Sequence, residues 1–327
     1  MRITTVLAIA TAAFYAPMAT QAHAQSATNF PNKLVTLVVP FTASSGSDII
    51  ARIISPKLSA RWGHPVIVDN KPGASGNIGA QQVAKAPPDG HTLLMAINTF
   101  TMTPAIYKTL PYDAVGQFEP VARLAEASFV FAINLSVPAK DMKSLVAYIK
   151  ANPGHANYAS PGNGTPQHLA MELLKANQHL DIVHVPYKGI AGALTDLTGG
   201  QVQMMFATIP SMRPLAQAGR VRLLAVTGPA RNPLVPDVPT FREQGIDVMD
   251  SVDAWYAVLA PARTPPDVVA RLNRDFIAVM NDADVKAQLA EIGITVKTGS
   301  PAQRGALIKS DLARWKTVVN AAGITAD

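Results

Sequence analysis

Cysteine does not occur among the 327 residues. That excludes disulfide staples, cysteine nucleophiles and thiolate metal sites, and leaves packed cores as the source of stability. Charge is sparse, at 15% of residues, and scattered. Without a basic run of the kind that tracks a phosphate backbone, nucleic acid is not an expected partner. Beyond the first two dozen residues no stretch reaches about 20 uninterrupted apolar residues, so no membrane insertion is expected there. Catalytic signatures are missing as well. There is no Gly-x-Ser-x-Gly elbow, no His-Glu-x-x-His, no P-loop lysine, and no third glycine behind Gly162-x-Gly164. His64, His91, His155, His179 and His184 stand at no metal or triad spacing and read as surface or structural. No cofactor, metal ion or catalytic residue is expected, although a triad assembled from distant loops stays open at this level.

What is present begins with an export signal. Arg2 precedes an apolar run from Val6 to Ala16, and Ala22-His23-Ala24 is a small-x-small cleavage pattern. Residues 1–24 are therefore expected to be a signal peptide, cleaved near Ala24, which places the mature chain in the periplasm. Removing Arg2 leaves 27 Lys+Arg against the 22 Asp+Glu, a net charge of +5 from the +6 of the whole chain. This mild positive field favours anionic ligands slightly.

The mature chain then repeats one pattern: apolar β run, Gly/Ser/Pro turn, amphipathic segment. Strand-like runs lie at 34–39, 66–68, 92–96, 129–134, 182–185, 203–206 and 223–227, with helical spacing between them. Alternation of this kind predicts an α/β fold of mostly parallel sheets flanked by helices. Two extended stretches, 127–138 and 252–261, read as hinge crossovers. They divide the chain into one lobe of residues 26–127 plus 252–327 and a second of 128–251.

Two loops carry the functional signal. The first follows a buried strand and runs Phe41-Thr42-Ala43-Ser44-Ser45-Gly46-Ser47-Asp48. It offers backbone N–H groups, three serine hydroxyls and a helix start, with Ser47 or Asp48 expected as the N-cap. It contains no Lys or Arg. The second, Ser160-Pro161-Gly162-Asn163-Gly164-Thr165-Pro166-Gln167-His168, repeats the device, with Thr165 as N-cap and Pro166 as first helical residue. Either loop alone could be an ordinary strand-to-helix turn; two of them in opposing halves point to anion binding at strand carboxyl ends. Neutral donors suffice. A hydrogen bond to a charged group contributes roughly 1.5–3 kcal/mol, and micromolar affinity needs about 8 kcal/mol. The glycine turn at 73–79 could cradle phosphate but reads better as a turn that sets entry into a helix. Trp255 and Tyr256 could floor a cleft or pack within a hinge strand.

At these motifs the sequence resembles the substrate-binding proteins of tripartite tricarboxylate transporters, the Bug family. The resemblance runs through Val39-Pro40-Phe41 and its Ser-Asp loop, Asp69-Asn70-Lys71-Pro72-Gly73, Pro88-Asp89-Gly90, Leu110-Pro111-Tyr112-Asp113 and Gly162-Asn163-Gly164-Thr165. It continues through His184-Val185-Pro186-Tyr187-Lys188-Gly189 and Asp237-Val238-Pro239-Thr240. It implies a two-lobed periplasmic binding fold of the type II, Venus-flytrap kind that closes on a small carboxylate and hands it to a two-component membrane permease. A monomer meets that need. A ligand-sensing partner of a signalling system, or a secreted hydrolase or transferase using the same cleft, are the alternatives. The loops and the resemblance together give Phe41, Ser44, Ser45, Ser47, Asp48, Ser160, Asn163, Gly164, Thr165, His168, Ala207 and Thr208 as the expected ligand-binding residues. Two departures stand out. Serines at 44 and 45 replace the family's glycines, and Ala207 stands where many relatives carry an Asp, which favours a plain mono- or dicarboxylate over an amino acid.

Overall fold

The computed structural model describes residues 30–322 and 324, apart from Ser44 and Lys188. The expected signal peptide, residues 1–24, and the side chain of Ser44 lie outside the described residues.

The first half alternates as the sequence pattern requires. Strand β1 (Val35–Val39) leads to helix α1 (Gly46–Trp62), β2 (Val66–Asn70) to α2 (Asn77–Ala84), and β3 (Thr92–Ile97) to α3 (Thr99–Ile106). A long strand β4 (Phe118–Asn134) follows, then α4 (Met142–Ala151). The second half repeats the alternation in β5 (Asn157–Ser160), α5 (Pro166–Gln178), β6 (Val183–Pro186), α6 (Ile190–Gly199), β7 (Met204–Thr208), α7 (Ile209–Gln217) and β8 (Val221–Val226). The chain returns through β9 (Asp253–Pro261) and closes with α8 (Pro266–Met280), α9 (Ala283–Glu291), β10 (Thr295–Gly299) and α10 (Pro301–Ala322).

The described strands join one sheet in the order β2-β1-β3-β9-β4-β7-β5-β6, with β8 and β10 also pairing with β4. The pairings β1–β2, β1–β3, β5–β6 and β5–β7 are parallel, whereas every pairing of β4 and β9 is antiparallel. Each half is thus parallel at its outside and antiparallel at the centre. The reason is β4 itself. It is one uninterrupted strand, so the strands of the two halves meet it from opposite directions.

β4 changes partners along its length. Residues up to Ser128 pair with β9, ending at Ser128 opposite Asp253, and Phe129 onward pairs with β7. Its second part, Phe129 to Asn134, is buried throughout, as a strand covered on both faces must be. Its first part carries Glu119, Pro120, Arg123 and Glu126, which hid it from the hydrophobic pattern. Pro120 sits at a register shift, where a missing N–H is tolerated. The charges pair with one another: Arg123 with Glu126 at 2.6 Å and with Asp253 at 3.2 Å, and Lys297 with Glu126 at 2.9 Å.

Three apolar clusters fill the layers. The largest joins α1, α5 and α8 to one face of the sheet and includes Val39, Ile50, Tyr158, Phe206 and Tyr256. A second includes Val38, Leu94, Phe100, Trp255 and Ile308 on the opposite face of the first half, and a third includes Val130, Ala159, Leu197, Ala207 and Met212 in the second. Helix α10 packs against α3 in one half and α5 in the other.

Candidate functional site

The strand registers bring four strand ends to one belt of the sheet. β3 places Ile97 opposite Tyr256, and Tyr256 lies opposite Ala125 of β4. β1 is in register with β3, Val38 beside Leu94, so it ends short of Ile97 and the loop after it continues toward the same belt. From the other half Thr208 lies opposite Phe129, and β5 runs parallel to β7 beside it. The loops after β1 and β3 therefore approach residues 125–129 from one side, and those after β5 and β7 from the other. Gly164 shows how close they come. It adopts φ 71°, and a Cβ placed on it would lie 2.9 Å from Cδ1 of Ile106 at the end of α3.

The first loop caps α1, but at a different residue from that expected. Ser45, with φ −70° and ψ 158°, is the N-cap, and its Oγ accepts from the Asp48 N–H at 3.4 Å. The helix starts at Gly46, ahead of the Ser47 or Asp48 cap read from the sequence. The Ser47 hydroxyl lies 3.3 Å from that of Ser45. Among the described residues the N–H groups of Gly46 and Ser47 meet no acceptor, leaving two amides at the positive end of a 17-residue helix.

Asp48 does not present its carboxylate to a ligand. It is buried, and it accepts from Arg52 Nε at 3.0 Å and Asn70 Nδ2 at 2.9 Å. Asn70 Nδ2 also donates to the Phe41 carbonyl at 3.0 Å, and Asn70 Oδ1 accepts from Arg52. This network ties the first loop to β2 and neutralises the only carboxylate in it. The ring of Phe41 is half-buried and packs against the largest core cluster. The turn at 73–79 acts as a helix entry: Ala74–Gly76 form a 3-10 turn leading into α2, and Asn77 accepts from the Tyr112 hydroxyl at 2.8 Å.

The second loop is braced from beneath. Thr165 caps α5 as the sequence indicates, accepting from the His168 N–H at 3.4 Å and donating to the Gly162 carbonyl at 2.8 Å. Ser160 is fully buried, donates to Gly162 O at 3.0 Å and lies 2.7 Å from His184 Nε2. The Gly164 N–H donates to His168 Nδ1 at 3.0 Å, so His168 is neutral with its proton on Nε2. The rings of His168 and His184 stack at 3.9 Å, and Tyr158 stacks on His184 at 4.7 Å. Burial pushes both histidines down to about 4; the charge of Lys175 adds for His168, and that of His168 for His184. Tyr158 donates to Glu172 at 2.5 Å, and Glu172 pairs with Lys175 at 2.7 Å. Asn163 is exposed at the loop tip, and among the described residues its N–H and that of Gln167 meet no acceptor.

The expected site residues therefore fall into two groups. Ser45, Asn163 and Thr165 keep exposed surface at the two helix starts, whereas Ser47 and Gly164 lie in the same loops but are buried. Asp48, Ser160 and His168 are braces behind them. At the end of β7 the Thr208 side chain is exposed and bonds to Ser211, while Ala207 has no exposed surface and packs with Val130 and Ala159. Sequence reasoning missed the Asn70 tie and the His184 brace. The second was within reach, since Tyr158 and Ser160 share one face of β5 by alternation, and β6 sets His184 opposite Tyr158. Trp255 and Tyr256 part company. Trp255 points to α10 and donates to Asp311 at 2.8 Å, whereas Tyr256 joins the cluster under α1.

A parallel-edged α/β sheet with a central partner switch, and strand-end loops converging on it, defines a two-lobed binding protein of the periplasmic type. The chain belongs to the tripartite tricarboxylate transporter family receptors, whose family model matches residues 50–324. Three solved structures show how near the likeness is. The structure of a periplasmic transporter is 38% identical, with a TM-score of 0.78, covering 91% of this chain and 100% of that one. Rpa4515 of R. palustris with adipate is 35% identical, with a TM-score of 0.78 and coverages of 90% and 99%. MatC of Rhodopseudomonas palustris with bound malate is 32% identical, with a TM-score of 0.74 and coverages of 89% and 100%. The family is one of solute receptors.

Proposed function

We propose that this receptor captures a small mono- or dicarboxylate in the periplasm, holds it between two lobes without chemical change, and passes it to a two-component permease. The observation that carries this reading is the convergence of the strand-end loops on residues 125–129 of β4, with amides of Gly46, Ser47, Asn163 and Gln167 at two helix starts that meet no acceptor among the described residues. Donors without a counter-cation suit an anion whose charge is to be held and later released. Adipate in Rpa4515 and malate in MatC support the ligand class. The residues assigned to contact are Phe41, Ser44, Ser45, Ser47, Asn163, Gly164, Thr165 and Thr208. The lobes are 26–127 plus 252–327 and 128–251, supported by the partner switch of β4 at Ser128 and Phe129. The mature chain starts after Ala24 and acts as a monomer.

Thermal shift tests the ligand class, because a ligand that binds only the folded state raises the melting temperature. Succinate, glutarate, adipate and malate are expected to stabilise the protein, and amino acids are not. Stabilisation by amino acids alone would contradict the reading. Ser45→Leu and Thr165→Leu are each expected to abolish the ligand-induced shift; an unchanged shift in both would remove these loops from the site.

A further inference from the structure

The first loop meets a group that its own sequence does not contain. Tyr256 lies in the middle of β9, opposite Ile97 of β3 on one side and Ala125 of β4 on the other. Alternation along β9 turns Trp255 toward α10 and Tyr256 toward α1. Its ring reaches the start of that helix. A Cβ placed on Gly46 would lie 2.4 Å from the Tyr256 hydroxyl oxygen and 3.0 Å from its Cζ. Glycine is therefore required at 46 by the phenol rather than by backbone conformation.

Tyr256 is only 8% exposed, and among the described residues nothing hydrogen-bonds its hydroxyl. The ring is packed away while the hydroxyl is not among the buried unpartnered atoms of the described residues, so it keeps access to solvent and is free to exchange water for a ligand acceptor. Here the hydroxyl lies against Gly46, in the first turn of α1, where among the described residues the Gly46 and Ser47 amides also meet no acceptor. Three donors of different origin, two from a helix start and one from the sheet floor, share one place and lack one acceptor.

We propose that the Tyr256 hydroxyl donates to the ligand carboxylate, completing with the Gly46 and Ser47 N–H groups a three-donor anion site at the start of α1. This rests on the carboxylate-binding reading above and deepens it. The sheet floor, absent from both loops, supplies a donor whose position is fixed by β9. Burial pushes the phenol up to about 12, so it remains a neutral donor through the whole range in which a carboxylate is charged. A neutral amide in place of the carboxylate would lose one acceptor oxygen and set an NH2 group against donors, so the same site discriminates acids from their amides.

Isothermal titration of the full chain with succinate, glutarate, adipate and malate, and with the corresponding monoamide of whichever binds most tightly, tests this. Tyr256→Phe is expected to weaken the tightest ligand about ten- to hundredfold, the loss of one hydrogen bond to a charged group, while the melting temperature without ligand stays unchanged. Should Tyr256→Phe disturb folding, Gly46→Ala provides the second test, since its methyl displaces the hydroxyl while the ring stays buried; it is expected to show the same loss. Unchanged affinity in a folded Tyr256→Phe or Gly46→Ala protein overturns the proposal. If affinity is unchanged there but Ser45→Leu abolishes binding, the proposal fails and the carboxylate-receptor reading stands. If none of the four acids binds the wild type, that reading fails and takes the proposal with it.

Discussion

His168 shows how one side chain can matter to a ligand site without facing the ligand. Its Nδ1 accepts the Gly164 N–H, which requires a neutral ring. Protonation would set a donor against a donor and release the second loop. The groups around it are His184 from β6, Tyr158 from β5, and Glu172 and Lys175 from α5 itself. Both histidines titrate at about 4 in the folded protein, against 6.5 when free. Above pH 6.5 neither state takes up these protons, and the pair leaves stability independent of pH. Between 6.5 and 4 the unfolded chain binds protons that the folded protein excludes, so stability falls with acid by about 1.4 kcal/mol per unit for each histidine. Asp253 opposes this, because burial raises its pKa to about 6 and its protonation then favours the folded state. The decisive readout is therefore a difference. Urea midpoints at pH 7 and pH 5 are expected to separate more in the wild type than in a His168→Gln, His184→Gln double variant. Equal separations would show that the stack does not resist protonation.

At the scale of elements, the first loop is held by β2 as much as by α1. Asn70 joins the Asp48 carboxylate, the Phe41 carbonyl and Arg52. Asn70→Ala is expected to cost about 1–3 kcal/mol, the penalty for stranding buried partners, and to weaken carboxylate binding through a loosened loop; a urea titration and calorimetry on the same protein measure both. An unchanged midpoint would mean that Asn70 is not needed to hold Asp48. The same scale shows how far the sequence could be read. Thr165 and Pro166 mark the start of α5 because cap and first-turn chemistry is local. The strand runs at 92–96 and 203–206 correspond to β3 and β7 because strands buried on both faces are apolar throughout, and the run at 66–68 corresponds to the edge strand β2, marked by β-branched residues although Ile67 is exposed. The first half of β4 was illegible: Arg123 and Glu126 find their partners in Asp253 and Lys297, far away in sequence. Ser45 caps α1 two or three residues ahead of the Ser47 or Asp48 expected, because neighbouring serines and an Asp offer similar capping chemistry, and Asp48 is engaged by Arg52 and Asn70 instead.

For the whole molecule, β4 crosses between the halves, β9 returns beside it and α10 packs on both, and the two-lobed reading proposed above then expects bending about this middle. Gly164 against Ile106 is a contact between the halves. Ligand binding is expected to reduce the radius of gyration in small-angle scattering, and Gly164→Leu, which would force the halves apart, is expected to abolish that contraction. An identical profile with and without ligand would argue for a rigid receptor.

Under the function proposed above, neutral donors from both halves grip the ligand's carboxylate. The crystal structure of the protein with the tightest-binding of the four acids tests it most directly. One carboxylate is expected within hydrogen-bond distance of the Gly46 and Ser47 N–H groups, with Asn163 or Thr165 closing on the ligand from the opposite side. A ligand seated elsewhere, or a carboxylate held by an arginine or lysine, would contradict the account.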